Sequence, residues 1–161
     1  MIRALLLLLA TSLAASGCAR NGPGTSTAGS QAADTLRGIV RIVGAEPATS
    51  ITIDAGAGGT VVVTGERSVL EQLSGIEVTV WGERQSQDRF SAARVAVRAV
   101  AGVTAVEGVL QRDGDRYVLV TADGLRLPVP HLPEELRSRV GVRMWVAGPL
   151  DRPPDAYGVI R

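Results

Sequence analysis

From Thr35 onward the chain alternates apolar and polar residues in short runs. Ile51 and Ile53 alternate with Thr52 and Asp54, Val95 and Val97 with Arg94, Ala96 and Arg98, and Leu125, Leu127 and Val129 with Arg126, Pro128 and Pro130. A period of two turns one face of each run to a core and the other to water, so these runs predict half-buried strands. Two stretches break the alternation. One is Arg67-Ser68-Val69-Leu70-Glu71-Gln72-Leu73, closed by Gly75; the other runs from Pro133 through Glu134, Glu135 and Leu136 to Val140, closed by Gly141. Proline in the first turn, acidic residues next and glycine just past the end suit helix termini, so each stretch predicts a short helix.

The pattern occurs twice. Leu36-Arg37-Gly38-Ile39-Val40 matches Val106-Glu107-Gly108-Val109-Leu110, and Gly75-Ile76-Glu77-Val78-Thr79-Val80-Trp81-Gly82 matches Gly141-Val142-Arg143-Met144-Trp145-Val146-Ala147-Gly148. The interval from the opening glycine to the strand glycine is 75 − 38 = 37 residues in the first copy and 141 − 108 = 33 in the second, a difference that one loop accommodates. Each copy reads strand, strand, strand, short helix, strand, strand. That order, with a glycine where the first strand must bend sharply and a glycine-flanked strand after the helix, resembles the OB-fold, a small five-stranded barrel. The resemblance implies a mainly β chain carrying two OB-like barrels, at 35–102 and 103–161, each with its helix between the third and fourth strands. At about 60 residues a core is marginal, so the two copies are expected to pack together. A single ten-stranded barrel or sandwich is the structural alternative.

The first 18 residues carry an address. Met1 to Gly17 has a basic Arg3, an apolar run from Ala4 to Ala10 with five successive leucines, and then small residues up to Cys18. An apolar run this short falls below the roughly 20 residues that span a bilayer, and reads as a secretory signal. Leu13-Ala14-Ala15-Ser16-Gly17-Cys18 resembles the lipobox of bacterial lipoproteins. The resemblance implies cleavage after Gly17 and a lipid on Cys18, leaving 161 − 17 = 144 residues. An ordinary cleaved signal is the alternative. Ala19 follows the cysteine, not the Asp that resembles an inner-membrane retention signal. The expectation is therefore an outer-membrane lipoprotein facing the periplasm, with an inner-membrane or surface position as alternative. Residues 18–34 form the lipidated cysteine and a linker. Ala19 to Asp34 is rich in Gly, Ser, Thr and Ala, and 16 such residues reach roughly 20 to 25 Å as a coil.

Composition narrows the chemistry. The chain carries 17 basic and 16 acidic side chains, one His and one Cys, and all of the basic residues are arginines. Without lysine, Schiff-base chemistry and the P-loop lysine are excluded. One cysteine excludes a disulfide framework and one histidine a two-imidazole site, so no cofactor or metal is expected. Residues 35–100 carry seven side chains of each sign and residues 105–161 carry eight of each. Neither copy therefore offers the basic groove that nucleic acid requires. Arginine–carboxylate pairing across neighbouring strands is the ordinary use of such a balance.

Candidate sites are few. His131, between Pro130 and Pro133, has a general base's intrinsic pKa but reads as a surface or capping histidine. Gly56-Ala57-Gly58-Gly59 is followed by a strand-like Thr60-Val61-Val62-Val63, not by the helix start a phosphate loop needs, and reads as a hairpin loop. Asp113-Gly114-Asp115 and Asp123 read as hairpin turns and lack the ligand spacing of a calcium loop. Trp81 and Trp145 lie on the corresponding strand of each copy, out of phase with Ile76, Val78, Val80 and with Val142, Met144, Val146. If those apolar sets fill the cores, both indoles point outward, Trp145 beside Arg143. Exposed aromatics beside arginine resemble the stacking platforms of OB-folds. The alternative buries each indole where the copies meet. The expectation is a non-enzymatic binding or scaffolding module, with an envelope protein as partner and Trp81, Trp145 and Arg143 as its recognition surface. The alternative function is capture of a small ligand or oligosaccharide by a barrel face. A third reading, an enzyme using Asp54, Asp123 or Glu134, finds no pair of carboxylates set apart by spacing.

Overall fold

The computed structural model describes residues 33–161; the expected signal sequence, Cys18 and the expected linker up to residue 32 lie outside the described residues. Ala32–Arg161 groups as one compact unit. It is mainly β. The elements, in chain order, are β1 (Asp34–Val43), β2 (Ser50–Asp54), β3 (Thr60–Thr64), α1 (Arg67–Gln72), β4 (Glu77–Ser86) and β5 (Arg89–Val100), followed by β6 (Val103–Asp113), β7 (Arg116–Val120), β8 (Arg126–Pro128), α2 (Glu134–Arg137), β9 (Arg143–Ala147) and β10 (Ala156–Ile160). A single 3-10 turn, Gly56–Gly58, joins β2 to β3, as the following strand leads one to expect.

The pairings of the first copy return on themselves. β1 pairs with β2 and β4, β2 with β3, β4 with β5, and β3 with β5; all are antiparallel except the last. β1 does this by changing partner along its length: Asp34 to Ile39 face β4, and Ile39 to Val43 face β2. Gly38 sits at the change. A Cβ there would lie 2.2 Å from the Asp54 carbonyl oxygen, so the close approach of β2 requires glycine. The second copy repeats the device. β6 pairs with β9 through Ala105 to Val109 and with β7 through Val109 to Asp113, and a Cβ on Gly108 would lie 2.7 Å from the Val120 carbonyl oxygen.

The helices close one end of each core. Val69, Leu70 and Leu73 of the α1 region are buried, while Arg67 and Glu71 pair on its outer side at 2.8 Å. Gly75, at φ +81°, ends the turn and donates its N–H to the Val40 carbonyl at 2.8 Å. Gly141, at φ +89°, donates to the Leu110 carbonyl at 2.7 Å in the same way. α2 is shorter than the predicted 133–140. After Arg137 the chain tightens into i→i+3 bonds, Arg139 N–H to Leu136 and Val142 N–H to Arg139, which bring Gly141 onto β6.

One core cluster is built on Val40, Ile53, Leu70, Val78, Val80 and Phe90, and a second on Leu110, Leu119, Leu136, Met144 and Val146. The first also takes in Trp145, Ala147 and Ile160 from the second copy, so the copies share apolar contact. Their sheets join at β5 and β6 through Ala99–Thr104 and Val100–Val103.

Two strand expectations change. Thr52, predicted to be wet, is 6% exposed, because β2 is covered on both faces; its hydroxyl donates to the Arg41 carbonyl at 3.5 Å. The predicted 125–130 strand contracts to β8, leaving Leu125 exposed. Pro128 and Pro130 have no N–H to give a further neighbour. Among the described residues β8 pairs only with β7 and β10 only with β9, so the second copy does not close as the first does. Side chains cover the outer edge of β10 instead. Glu135 accepts from the Tyr157 hydroxyl, a bond that holds the carboxyl below its usual range and the phenol above. Gln72 of α1 donates to the Arg161 carbonyl at 3.1 Å and accepts its N–H at 3.2 Å.

The glycine bends set a prediction. Gly38→Ala and Gly108→Ala should each lower unfolding stability by roughly 1–3 kcal/mol through forced backbone displacement, the Gly38 change more. Gly102→Ala, with φ +80° but open space around it, should cost only about 1 kcal/mol. Urea titration of the three variants checks the order.

Candidate functional site: a groove beside Trp81

Among the outward-facing residues, Trp81 has a defined neighbour. It pairs across strands with Thr35 on β1 and Arg94 on β5. The register of β4 on β5 slips between Trp81 and Gly82, leaving Ala93 as an extra residue on β5. A bulge of this kind re-aims a side chain, and here the Arg94 guanidinium carbon lies 3.8 Å from the Trp81 ring centroid. The bulge draws the strands together at Gly82, where a Cβ would meet the Ser91 carbonyl oxygen at 1.9 Å.

Trp145 takes a different course. It stands two residues earlier than Trp81 along the matching strand, at the position of Thr79, and its partner on β10 is Gly158. A Cβ on Gly158 would lie 2.8 Å from the indole ring, so the missing side chain lets the ring lie flat on the strand. Trp145 is 8% exposed and joins the first core cluster. The two indoles, for which the alternation left an outward face or burial between the copies open, thus separate: Trp81 is half-buried at the surface and Trp145 is buried where the copies meet.

Arg143 is placed by its charge. Its guanidinium pairs with Glu107 at 2.7 Å and donates to the Val95 carbonyl, while the Glu107 carboxylate accepts the Val97 N–H at 2.7 Å. β3 runs beside β5 only through Arg89 to Ser91, and β6 only through Ala99 and Val100. Between those ladders the outer edge of β5 at Val95 and Val97 lacks a strand neighbour, and the ion pair supplies its acceptor and donor. The side chains are 34% and 14% exposed, so the pair is part of the junction and only partly wet.

An open groove of ≈ 520 Å³ runs along this junction. Trp81, Arg94 and Arg98 line it from the first copy, and Glu107, Thr121 and Asp123 from the second. Arg94 and Arg98 are exposed and, among the described residues, form no ion pair. Asp123 accepts from the Thr121 hydroxyl, which lowers its pKa. Arg94, Arg98 and Glu107 were not singled out from the sequence; only the strand register brings them to Trp81.

The other sequence candidates lie elsewhere. His131 is exposed between β8 and α2. Asp113 pairs with Arg126 at 3.0 Å and Asp115 with Arg112 at 3.7 Å, flanking the β6–β7 turn. Asp54 pairs with Arg41 at 3.5 Å and accepts the Gly56 N–H, and Glu134 is exposed in the first turn of α2. Among the described residues no group of three or more His, Cys, Asp or Glu is placed to hold a metal ion. Comparison with known proteins found no family model, no curated protein and no solved structure that matches the chain.

The junction pair is open to test. Arg143→Met leaves Glu107 without its cation and the Val95 carbonyl without its donor, and should lower stability by roughly 2–3 kcal/mol. Glu107→Gln keeps an acceptor for the Val97 N–H and should lose less. Arg37→Met breaks the more exposed Arg37–Glu77 pair and should stay within about 0.5 kcal/mol of the parent. Equal losses in all three by urea titration would contradict the assignment.

Proposed function

We propose that the chain is an envelope lipoprotein that acts as a tethered binding or scaffolding module. Lipid on Cys18 fixes it to a membrane, at the outer membrane and facing the periplasm, and residues 19–34 give it reach. Two OB-like repeats, 35–102 and 103–161, carry the recognition surface. The ring of pairings in the first copy, with its parallel β3–β5 closure and helix between β3 and β4, supports the OB-like reading. In the second copy the same strand order and the same glycine contacts support it, with α2 and side chains standing where strands do not meet.

The observation that carries a binding role is the groove beside Trp81. It brings a surface indole and two unpaired guanidiniums to one place, held by the bulge at Ala93 and the Glu107–Arg143 pair. Arginines without a carboxylate partner are available to a ligand, and these two stand together beside an indole. Arg143 contributes by holding the groove together, and Trp145 by packing the copies against each other; Trp81 and the arginines of β5 face the ligand.

Crosslinked capture from the native envelope tests this. The parent chain should incorporate a palmitate analogue and retain a defined envelope component. Cys18→Ser should lose both the label and the retained component, and Arg94→Glu with Arg98→Glu should lose the component alone. Labelling absent from the parent would refute the anchor, and capture unchanged by the double arginine variant would refute the groove as the recognition surface.

A further inference from the structure

The groove's chemistry points to a class of ligand, an inference that rests on reading the groove as the recognition surface. Arg94 and Arg98 both line the groove from β5, four residues apart, and a second slip of register leaves Arg98 as an extra residue, so their Cα atoms are separated by at most about 13 Å, the span of a regular strand. Ala96 lies between them and keeps the floor low. The Arg94 guanidinium carbon lies over the Trp81 ring, 3.8 Å from its centroid, so the indole backs the planar fork. A planar fork held this way suits a carboxylate. From the second copy the groove is lined by Asp123, a carboxylate acceptor suited to hydroxyl donors.

Two other polymer classes fit less well. A peptide strand would add to the open edge of β5, but the Val97 N–H and the Val95 carbonyl there are already taken by Glu107 and Arg143. A nucleic-acid or polyphosphate backbone would bring anions against Asp123 and Glu107 with few hydroxyl donors to offset them. The groove calls instead for a ligand that brings hydroxyl donors to its carboxylates as well as anions to its arginines.

We propose that this groove binds a carboxylate-bearing glycan, with Arg94 and Arg98 pairing to carboxylates of separate sugar units, Trp81 backing the Arg94 guanidinium, and Asp123 accepting from ring hydroxyls. Glu107 and Arg143 position the groove and do not touch the glycan. The site lies on the outer face of β4 and β5 and takes its second wall from the other copy, so neither copy alone forms it.

Hexagalacturonate is a suitable probe, titrated into the full chain in detergent with tryptophan emission as readout. The expected result is a saturable change in emission that weakens as salt rises. Arg94→Gln or Arg98→Gln should each weaken it by roughly tenfold while thermal unfolding stays at the parental midpoint. The fully methyl-esterified hexamer, which keeps the sugars and removes the charge, should bind at least about tenfold more weakly. Trp81→Phe should remove the emission change. Three results would overturn the proposal: no saturable binding, equal binding of the esterified hexamer, or tighter binding of a polyphosphate of equal charge. If hexagalacturonate fails while envelope capture still depends on Arg94 and Arg98, the glycan assignment falls and the binding-module reading stands. If both fail, both fall.

Discussion

The junction between the two copies depends on the outer edge of β5. A strand edge left open at Val95 and Val97 in a part-buried junction would strand an N–H and a carbonyl, each of which costs free energy when denied a partner. Glu107 accepts from one and Arg143 donates to the other, and their mutual attraction holds both side chains in place. With that edge satisfied, Trp145 lies over Gly158 and enters the first core cluster, and a groove forms along the same seam. Packing, polar satisfaction and the candidate site thus share one ion pair.

The pair has a counterpart. Aligning Gly38 with Gly108 and Gly75 with Gly141 places Arg37 opposite Glu107 and Glu77 opposite Arg143, and Arg37 and Glu77 also pair, at 2.7 Å. The two copies use the same two positions with the signs reversed. In the first copy the side chains are 59% and 30% exposed and face water, where such a pair contributes little; in the second they are turned to the neighbouring strand edge. One local motif has become a junction where a second surface covers it.

Much of this architecture was legible in the amino-acid sequence. The strand runs, both short helices, the bend at Gly38 and Gly108, and the turns at Gly56–Gly59 and Asp113–Asp115 follow from period, proline and glycine, which act over a few residues. Pro128 and Pro130 also carried the reason that β8 takes no strand neighbour beyond β7. What was not legible depends on register. The fate of an indole is set by its cross-strand neighbour, Arg94 for Trp81 and Gly158 for Trp145, and the extra residue at Ala93 decides which neighbour that is. Thr52, flanked by Arg41 and Val62, is buried where the alternation of its own strand turns it outward. Arg94 and Glu107 are ordinary charges in a balanced chain until the fold brings one to an indole and the other to an open strand edge.

The most direct test of this account is amide hydrogen exchange at Val97 in the native chain. If the Glu107–Arg143 pair satisfies the β5 edge and locks the copies together, the Val97 amide exchanges as slowly as the core amides of Val40 and Leu110, and Glu107→Ala strips its protection. A Val97 amide that exchanges near the rate of a free peptide in the parent chain, or one that Glu107→Ala leaves protected, would contradict the junction on which the groove depends.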